Sequence, residues 1–126
     1  MRFAKAVFLT AGVYGILVLA PMLFLEEQIG RDLPPPITHP DYFYGFVCLA
    51  LVFQILFVLI AREPARYRLM MIPAMLEKFS YALAVGLLYR QGRAPAVTLG
   101  FAMVDLTLGV LFALAFWKTK QEASRS

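Results

Sequence analysis

Cysteine and histidine, the residues that supply most thiol, haem and transition-metal sites, occur once each in this sequence. Because Cys48 has no second cysteine in the chain, an internal disulfide and a redox pair of cysteines are excluded. Because His39 is the sole histidine, haem held between two histidines is excluded, and so is a metal site built from histidine and cysteine. We therefore expect no metal and no cofactor.

Charged residues are also scarce, at 16% of the chain, against about 25% in ordinary soluble domains. Apolar residues make up 61% of 126 residues, and a small soluble domain cannot bury that much apolar surface. A soluble enzyme and a disordered chain are therefore excluded. The sequence has no glycine-rich phosphate-binding loop. Its net charge is +4, but the basic residues are not clustered on a polar face, so nucleic acid is not an expected partner.

The sequence does contain four long apolar segments. Each reaches the roughly 20 residues that a helix needs to cross the hydrocarbon core, and helix is the form that satisfies the backbone of such a segment in lipid. They predict helices over about 4–25, 42–61, 68–89 and 94–117. We predict one all-α domain over 1–126, an integral membrane bundle of four transmembrane helices whose consecutive helices are antiparallel neighbours. The first segment is longer than the apolar part of a signal peptide, about 7–15 residues, so we expect it to be retained.

The basic residues predict how the bundle is oriented. The loops richer in lysine and arginine face the cytoplasm; eight basic residues lie on the side of both termini, and three lie in the first and third loops. Both termini are therefore expected in the cytoplasm. The eight are Arg2, Lys5, Arg62, Arg66, Arg68, Lys118, Lys120 and Arg125. Arg62, Arg66 and Arg68 share one tight turn, which predicts either binding of anionic lipid headgroups or orientation alone.

The connection between the first two segments, residues 26–41, is the longest. It contains three consecutive prolines, Pro34–Pro36, which favour a stiff polyproline conformation. We expect this stretch to be a strap across the outer end of the bundle, with a docking site or a lid as the alternative. His39 in the same loop is interpreted as a solvated residue.

Charged residues interrupt only the third and fourth apolar segments. Such charges usually face the protein interior and are candidates for function. At about 1.5 Å rise per residue, Glu77 and Lys78 lie about 12–14 Å from the cytoplasmic face, and Asp105 lies about 14 Å from it in a core about 30 Å thick. The candidate binding residues at this level are Glu77, Lys78, Asp105, Gln54, Tyr14 and Tyr81.

Helical spacing places Lys78 and Asp105 on packing faces. Asp105 shares its face with Gly109, and Lys78 shares its face with Gly86; small residues at this spacing let membrane helices approach closely. We predict an ion pair between Lys78 and Asp105. Pro73, one turn before the charged residues, is expected to kink the third helix.

Glu77 is expected to lie on a different face of the third helix from Lys78. It lies about 100° around the helix from Lys78, and Gln54, Tyr14 and Tyr81 are its expected hydrogen-bond partners. Two acids against one lysine leave one carboxylate that is either protonated or available for a cation. The layer is therefore either a structural cluster that fixes helix register or a site that binds a ligand or a proton.

Two stretches resemble the DoxX-like group of small bacterial four-helix membrane proteins. They are Ile72-Pro73-Ala74-Met75-Leu76-Glu77-Lys78 and Val104-Asp105-Leu106-Thr107-Leu108-Gly109-Val110-Leu111-Phe112. The resemblance covers under half of the chain and implies an inner-membrane protein of a group that mostly lacks an assigned activity. The stretch Leu51-Val52-Phe53-Gln54 is more faintly similar to emopamil-binding, sterol-isomerase-type domains, which hold lipophilic amines or sterols between acidic residues.

The sequence leaves three functions open. The first is an accessory or interaction protein of the bacterial inner membrane, whose partners are the lipid bilayer and another membrane protein or a second copy of the chain. The second is binding or transport of a lipophilic or cationic small molecule by Glu77 and Asp105. The third is isomerase-like chemistry with Glu77 as proton donor and acceptor. A non-enzymatic role is favoured, and no catalytic residue is assigned.

Overall fold

Helices make up almost all of the described chain. The structure is a computed structural model that describes residues 2–33 and 37–125, with side chains up to Lys120. In the described ranges the α-helices are α1 (Arg2–Met22), α2 (Glu26–Asp32), α3 (Pro40–Arg62), α4 (Met71–Arg90) and α5 (Ala96–Arg125).

Four helical stretches are long and apolar enough to cross a membrane: Arg2–Met22, Pro40–Arg62, Arg68–Arg90 and Ala96–Lys120. Large apolar side chains cover their outer surfaces, and soluble monomers rarely expose apolar patches larger than a few hundred Å². Leu17, Leu49 and Leu83, for example, are 70%, 62% and 65% exposed. The prediction of an all-helical chain with four membrane-length helices is thus confirmed, and these helices indicate an integral membrane protein.

The first connection contains a short helix that the sequence did not predict. α2 occupies Glu26–Asp32, with two acidic residues in its first turn and Arg31 in its last. This charge pattern matches the helix dipole, which favours acids at the start and bases at the end. Pro34–Pro36, the segment expected to form a strap, lies outside the described residues.

The start of α4 differs from the expectation of a kink at Pro73. A 3₁₀ turn at Arg68–Met70 precedes the helix, and α4 itself begins at Met71. Pro73 therefore lies in the first turn, where its missing N–H has no partner within the helix. α4 continues from there to Arg90 as one element, so the irregular backbone comes before the proline.

Close contacts between small and large residues hold the helices in two pairs, α1 with α3 and α4 with α5, and α1 also packs on α5. A Cβ atom at Gly12 would lie 2.7 Å from the side chain of Val58, and one at Gly109 would lie 2.8 Å from the ring of Phe79. Gly109 thus forms the close approach that its spacing predicts. Gly86 does not, since no atom lies within 4 Å of its Cβ position.

Three phenylalanines fill the centre of one half of the bundle. Phe8 stacks on Phe112 with ring centroids 4.2 Å apart, and Phe57 meets Phe112 edge-on at 5.0 Å. All three side chains are fully buried. The surrounding buried residues are Ala4, Ala11, Ile60, Ala61, Met71, Ala74 and Ala115. We call this cluster of ten residues the packed half.

Candidate functional site

A cavity of about 190 Å³ lies in the other half of the bundle, and all four long helices line it. On α1, for example, Phe8 belongs to the packed half, whereas Tyr14 and Leu19 line the cavity. All six candidate residues of the intramembrane layer are in the cavity wall. They are Tyr14, Gln54, Glu77, Lys78, Tyr81 and Asp105. We call this space the polar cavity.

Lys78 is the central charge of the polar cavity. Its Nζ atom donates a hydrogen bond to Asp105 Oδ1 at 3.4 Å, so the ion pair expected from helical spacing is present. The same Nζ lies 3.5 Å from Glu77 Oε2 and 5.1 Å from the centre of the Phe57 ring. The Lys78 side chain is only 4% exposed. Two acids and an aromatic face therefore surround one buried cation, an arrangement that stabilises its charge.

Glu77 lies closer to Lys78 than its position on the helix predicted. Adjacent helical residues point about 100° apart, but both side chains are long, and their charged ends approach within 3.5 Å. Glu77 Oε2 is buried and has no hydrogen-bond partner among the described residues. The expected bond to this atom from Gln54, Tyr14 or Tyr81 is not formed, although all three share the cavity wall.

Gln54 carries the second buried oxygen without a partner. The residue is 1% exposed, and its Nε2 atom donates to the carbonyl of Ala50 at 2.9 Å. Its Oε1 atom has no hydrogen-bond partner among the described residues. Leaving a buried polar atom unpaired costs about 1–3 kcal/mol, and two residues of the cavity wall, Gln54 and Glu77, each carry one such oxygen.

Gly15 provides the space that the Gln54 side chain occupies. A Cβ atom at Gly15 would overlap the Gln54 amide, so any larger residue there pushes Gln54 out of its position. The sequence analysis did not single out this glycine. The signal was present, because Ala11 and Gly15 on α1 are small residues four positions apart, a spacing that favours close helix packing in membranes.

Apolar side chains complete the wall. Phe46 of α3 stacks on Tyr81 of α4 with ring centroids 6.0 Å apart, and Phe101 of α5 lines the space from another side. Val18 and Leu33 also line the wall. A mostly apolar wall with a few polar groups is typical of small-molecule sites. Sequence alone could not identify these residues, because lipid-facing and cavity-facing apolar residues have the same composition.

The arginines proposed for lipid headgroups lie in three different environments. Arg68 Nε donates to the carbonyl of Phe116 at 3.0 Å, and its guanidinium lies 3.8 Å from the centre of the Phe116 ring. Arg66 forms an exposed ion pair with Glu63 at 3.3 Å. Arg62 is exposed at the end of α3. Arg68 thus contacts α5, whereas Arg62 and Arg66 lie on the surface.

No family model, curated protein or solved structure matches this chain. The resemblance to DoxX-like and emopamil-binding proteins therefore stays a prediction.

Proposed function

We propose that this protein binds a small lipophilic or cationic molecule in the polar cavity, with Glu77 and Asp105 supplying the negative charge. The observation that carries the proposal is the meeting of six polar side chains from four helices around one cavity. Polar groups inside a membrane protein are costly and are retained where they serve binding or transport. A cavity between helices of a bundle is also a common place for a ligand.

The proposed setting is the bacterial inner membrane, with both termini in the cytoplasm and consecutive long helices antiparallel. Two observations and one predicted resemblance support this setting. The packed half combines the first part of α1 with the last part of α3, as in Phe8 against Phe57. The basic residues are concentrated on the side of the termini. The segments around Glu77 and Asp105 resemble DoxX-like proteins.

Two other functions make different demands on the same residues. An accessory or interaction role requires only that the polar layer fix helix packing, and the cavity then stays without a ligand. Isomerase-like chemistry requires a substrate beside Glu77 that gains and loses a proton there. The cavity of about 190 Å³ is only slightly larger than the roughly 150 Å³ that holds benzene in an engineered protein, so it favours a small molecule over a sterol.

Native mass spectrometry of protein extracted with its surrounding lipid tests the proposal. We expect a stoichiometric small adduct on the unaltered chain that is lost in Glu77→Gln and in Asp105→Asn. The matched control is Glu63→Gln, because Glu63 is an exposed acid outside the cavity, and this variant should keep the adduct.

The outcome that contradicts the proposal is a chain that carries no adduct, or an adduct that survives both cavity variants. A second protein that stays bound in every variant would support the accessory role instead.

A further inference from the structure

We infer that the ligand of the polar cavity is a small primary ammonium compound: a positively charged nitrogen with three N–H donors on an apolar body of about the size of a benzene ring. This inference rests on the proposed function and adds the chemical class of the ligand. It follows from three properties of the cavity wall, namely which atoms lack partners, how the charges are paired, and how much space there is.

The atoms without partners are both hydrogen-bond acceptors. They are Gln54 Oε1 and Glu77 Oε2, each buried on a residue of the cavity wall. The orientation of the Gln54 amide is fixed by its neighbour, since Nε2 donates to the Ala50 carbonyl at 2.9 Å. Turning the amide over would place two oxygens against each other. A ligand that donates hydrogen bonds can therefore satisfy these two acceptors, whereas an anion offers them no donor.

The pairing of charges favours a cation with several donors. Lys78 donates its hydrogen bond to Asp105, whereas Glu77 Oε2 has only a charge contact with the same ammonium. The layer holds two acids and one lysine, which leaves a formal charge of one carboxylate uncompensated. An ammonium with one N–H serves one acceptor, whereas a primary ammonium has three donors and can serve both Glu77 and Gln54.

The available space limits the apolar body. The cavity of about 190 Å³ exceeds by little the engineered cavity of about 150 Å³ that holds benzene. Val18, Leu19, Phe46 and Phe101 supply apolar contacts for such a ring. An apolar body of about this size fills the cavity, so the ligand expected from these residues is a compact arylalkyl or alkyl ammonium.

A series of benzyl compounds tests the inference on the unaltered protein. The full chain in lipid nanodiscs is titrated with benzylamine, N,N-dimethylbenzylamine and benzyl alcohol near neutral pH, and binding is measured calorimetrically against empty nanodiscs. The first two are cations with three and one N–H donors, and the third is uncharged. We expect benzylamine to bind at least about tenfold more tightly than either of the others, because charge-assisted hydrogen bonds are lost in both.

Variants of the two acceptors test which atoms bind the ammonium. Glu77→Gln and Gln54→Leu should each weaken benzylamine binding by about tenfold or more, and Glu63→Gln should leave it unchanged. Gln54→Leu removes the amide while filling similar space. If either variant fails to fold, the ligand series on the unaltered protein decides on its own.

The failures are distinguishable. Equal affinity for benzylamine and for benzyl alcohol or the dimethyl compound would overturn the ammonium inference and leave a binding cavity of another specificity. Benzylamine binding that is unaffected in folded Glu77→Gln and Gln54→Leu would also overturn it. Absence of binding by all three compounds would overturn the inference, whereas the proposed function fails only if native mass spectrometry also finds no adduct that depends on Glu77 and Asp105.

Discussion

The packed half and the polar cavity are built from the same four long helices, and they differ in what those helices bring to the centre. In the packed half, Phe8, Phe57 and Phe112 interlock and leave no exposed surface. In the other half, the helices present polar groups and leave about 190 Å³ unfilled. The comparison indicates that tight packing in the packed half positions the four helices. The helices then remain associated around the polar cavity in the other half.

The charged residues lie at the boundary between the two halves. Lys78 contacts the Phe57 ring of the packed half and both acids of the polar cavity. Its side chain is buried, so its charge depends on these partners. The account predicts the largest loss of stability when this link is removed and smaller losses for changes on either side of it.

Replacing the buried lysine should have the largest effect. Lys78→Met leaves Glu77 and Asp105 together without a cation, and breaking a buried ion pair typically costs about 3–5 kcal/mol. The free energy of unfolding, measured by SDS titration in mixed micelles, should fall by about that amount. The matched control is Lys120→Met, because Lys120 is exposed, and its change should stay within about 0.5 kcal/mol. A loss below about 1 kcal/mol for Lys78→Met would contradict a link through Lys78.

The same phenylalanine change in the two halves should give different results. Phe112→Ala opens a hole in the packed half, where removing a buried phenylalanine costs about 3–5 kcal/mol, and we expect the lower end of that range. Phe101 lines the cavity and is 44% exposed, so Phe101→Ala should lower the free energy of unfolding by less than about 1 kcal/mol. Thermal unfolding of the two variants side by side measures the difference. Equal losses would show that both halves are packed alike.

A methyl group at Gly15 should disturb the cavity wall directly. Gly15→Ala puts a Cβ into the Gln54 side chain, and overpacking of this kind costs about 1–3 kcal/mol. Gly86→Ala meets no atom within 4 Å and should be neutral or stabilising by up to about 1 kcal/mol, from helix propensity. SDS unfolding curves of both variants give the sign of the change in the free energy of unfolding. Opposite signs support the contact between Gly15 and Gln54, and a neutral Gly15→Ala would argue against it.

The smallest effect is expected at the arginine turn beside the packed half. Arg68→Leu removes one hydrogen bond and one stacking contact with Phe116, and together these are worth about 1–2 kcal/mol. Arg66→Leu removes only an exposed ion pair with Glu63, worth about 0–1 kcal/mol. Thermal unfolding in the same detergent compares them. A larger loss for Arg66→Leu would show that the contact between Arg68 and α5 contributes nothing.

The sequence was sufficient to predict the four membrane-length helices and the meeting of their charged residues at one level. Segment length and composition determine the first, and the constant rise of a helix determines the second, so that Glu77, Lys78 and Asp105 could be placed at one depth. These predictions depend on local geometry alone. Local geometry also gave the pairing of Lys78 with Asp105, through the helix face that each residue occupies.

The sequence was not sufficient to predict the cavity or the ends of α4. Whether the space beside Glu77 is filled depends on four helices at once, and on a contact such as Gln54 against Gly15 that involves two distant segments. Pro73 was expected inside the helix, but it lies in the first turn, because the helix begins only two residues earlier, at Met71. Helix ends are the least predictable part of an element, and the structural effect of a proline depends on its distance from the helix end.

Cysteine accessibility tests the difference between the two halves most directly. In a Cys48→Ala background, one alanine in each half is replaced by cysteine: Ala50, 8% exposed in the cavity wall, and Ala74, fully buried in the packed half. Both are then treated with a small cationic methanethiosulfonate in lipid nanodiscs, and modification is followed by mass. The account predicts that Ala50→Cys is modified in the folded protein and that Ala74→Cys is not. Equal modification, or none at Ala50→Cys, would contradict it.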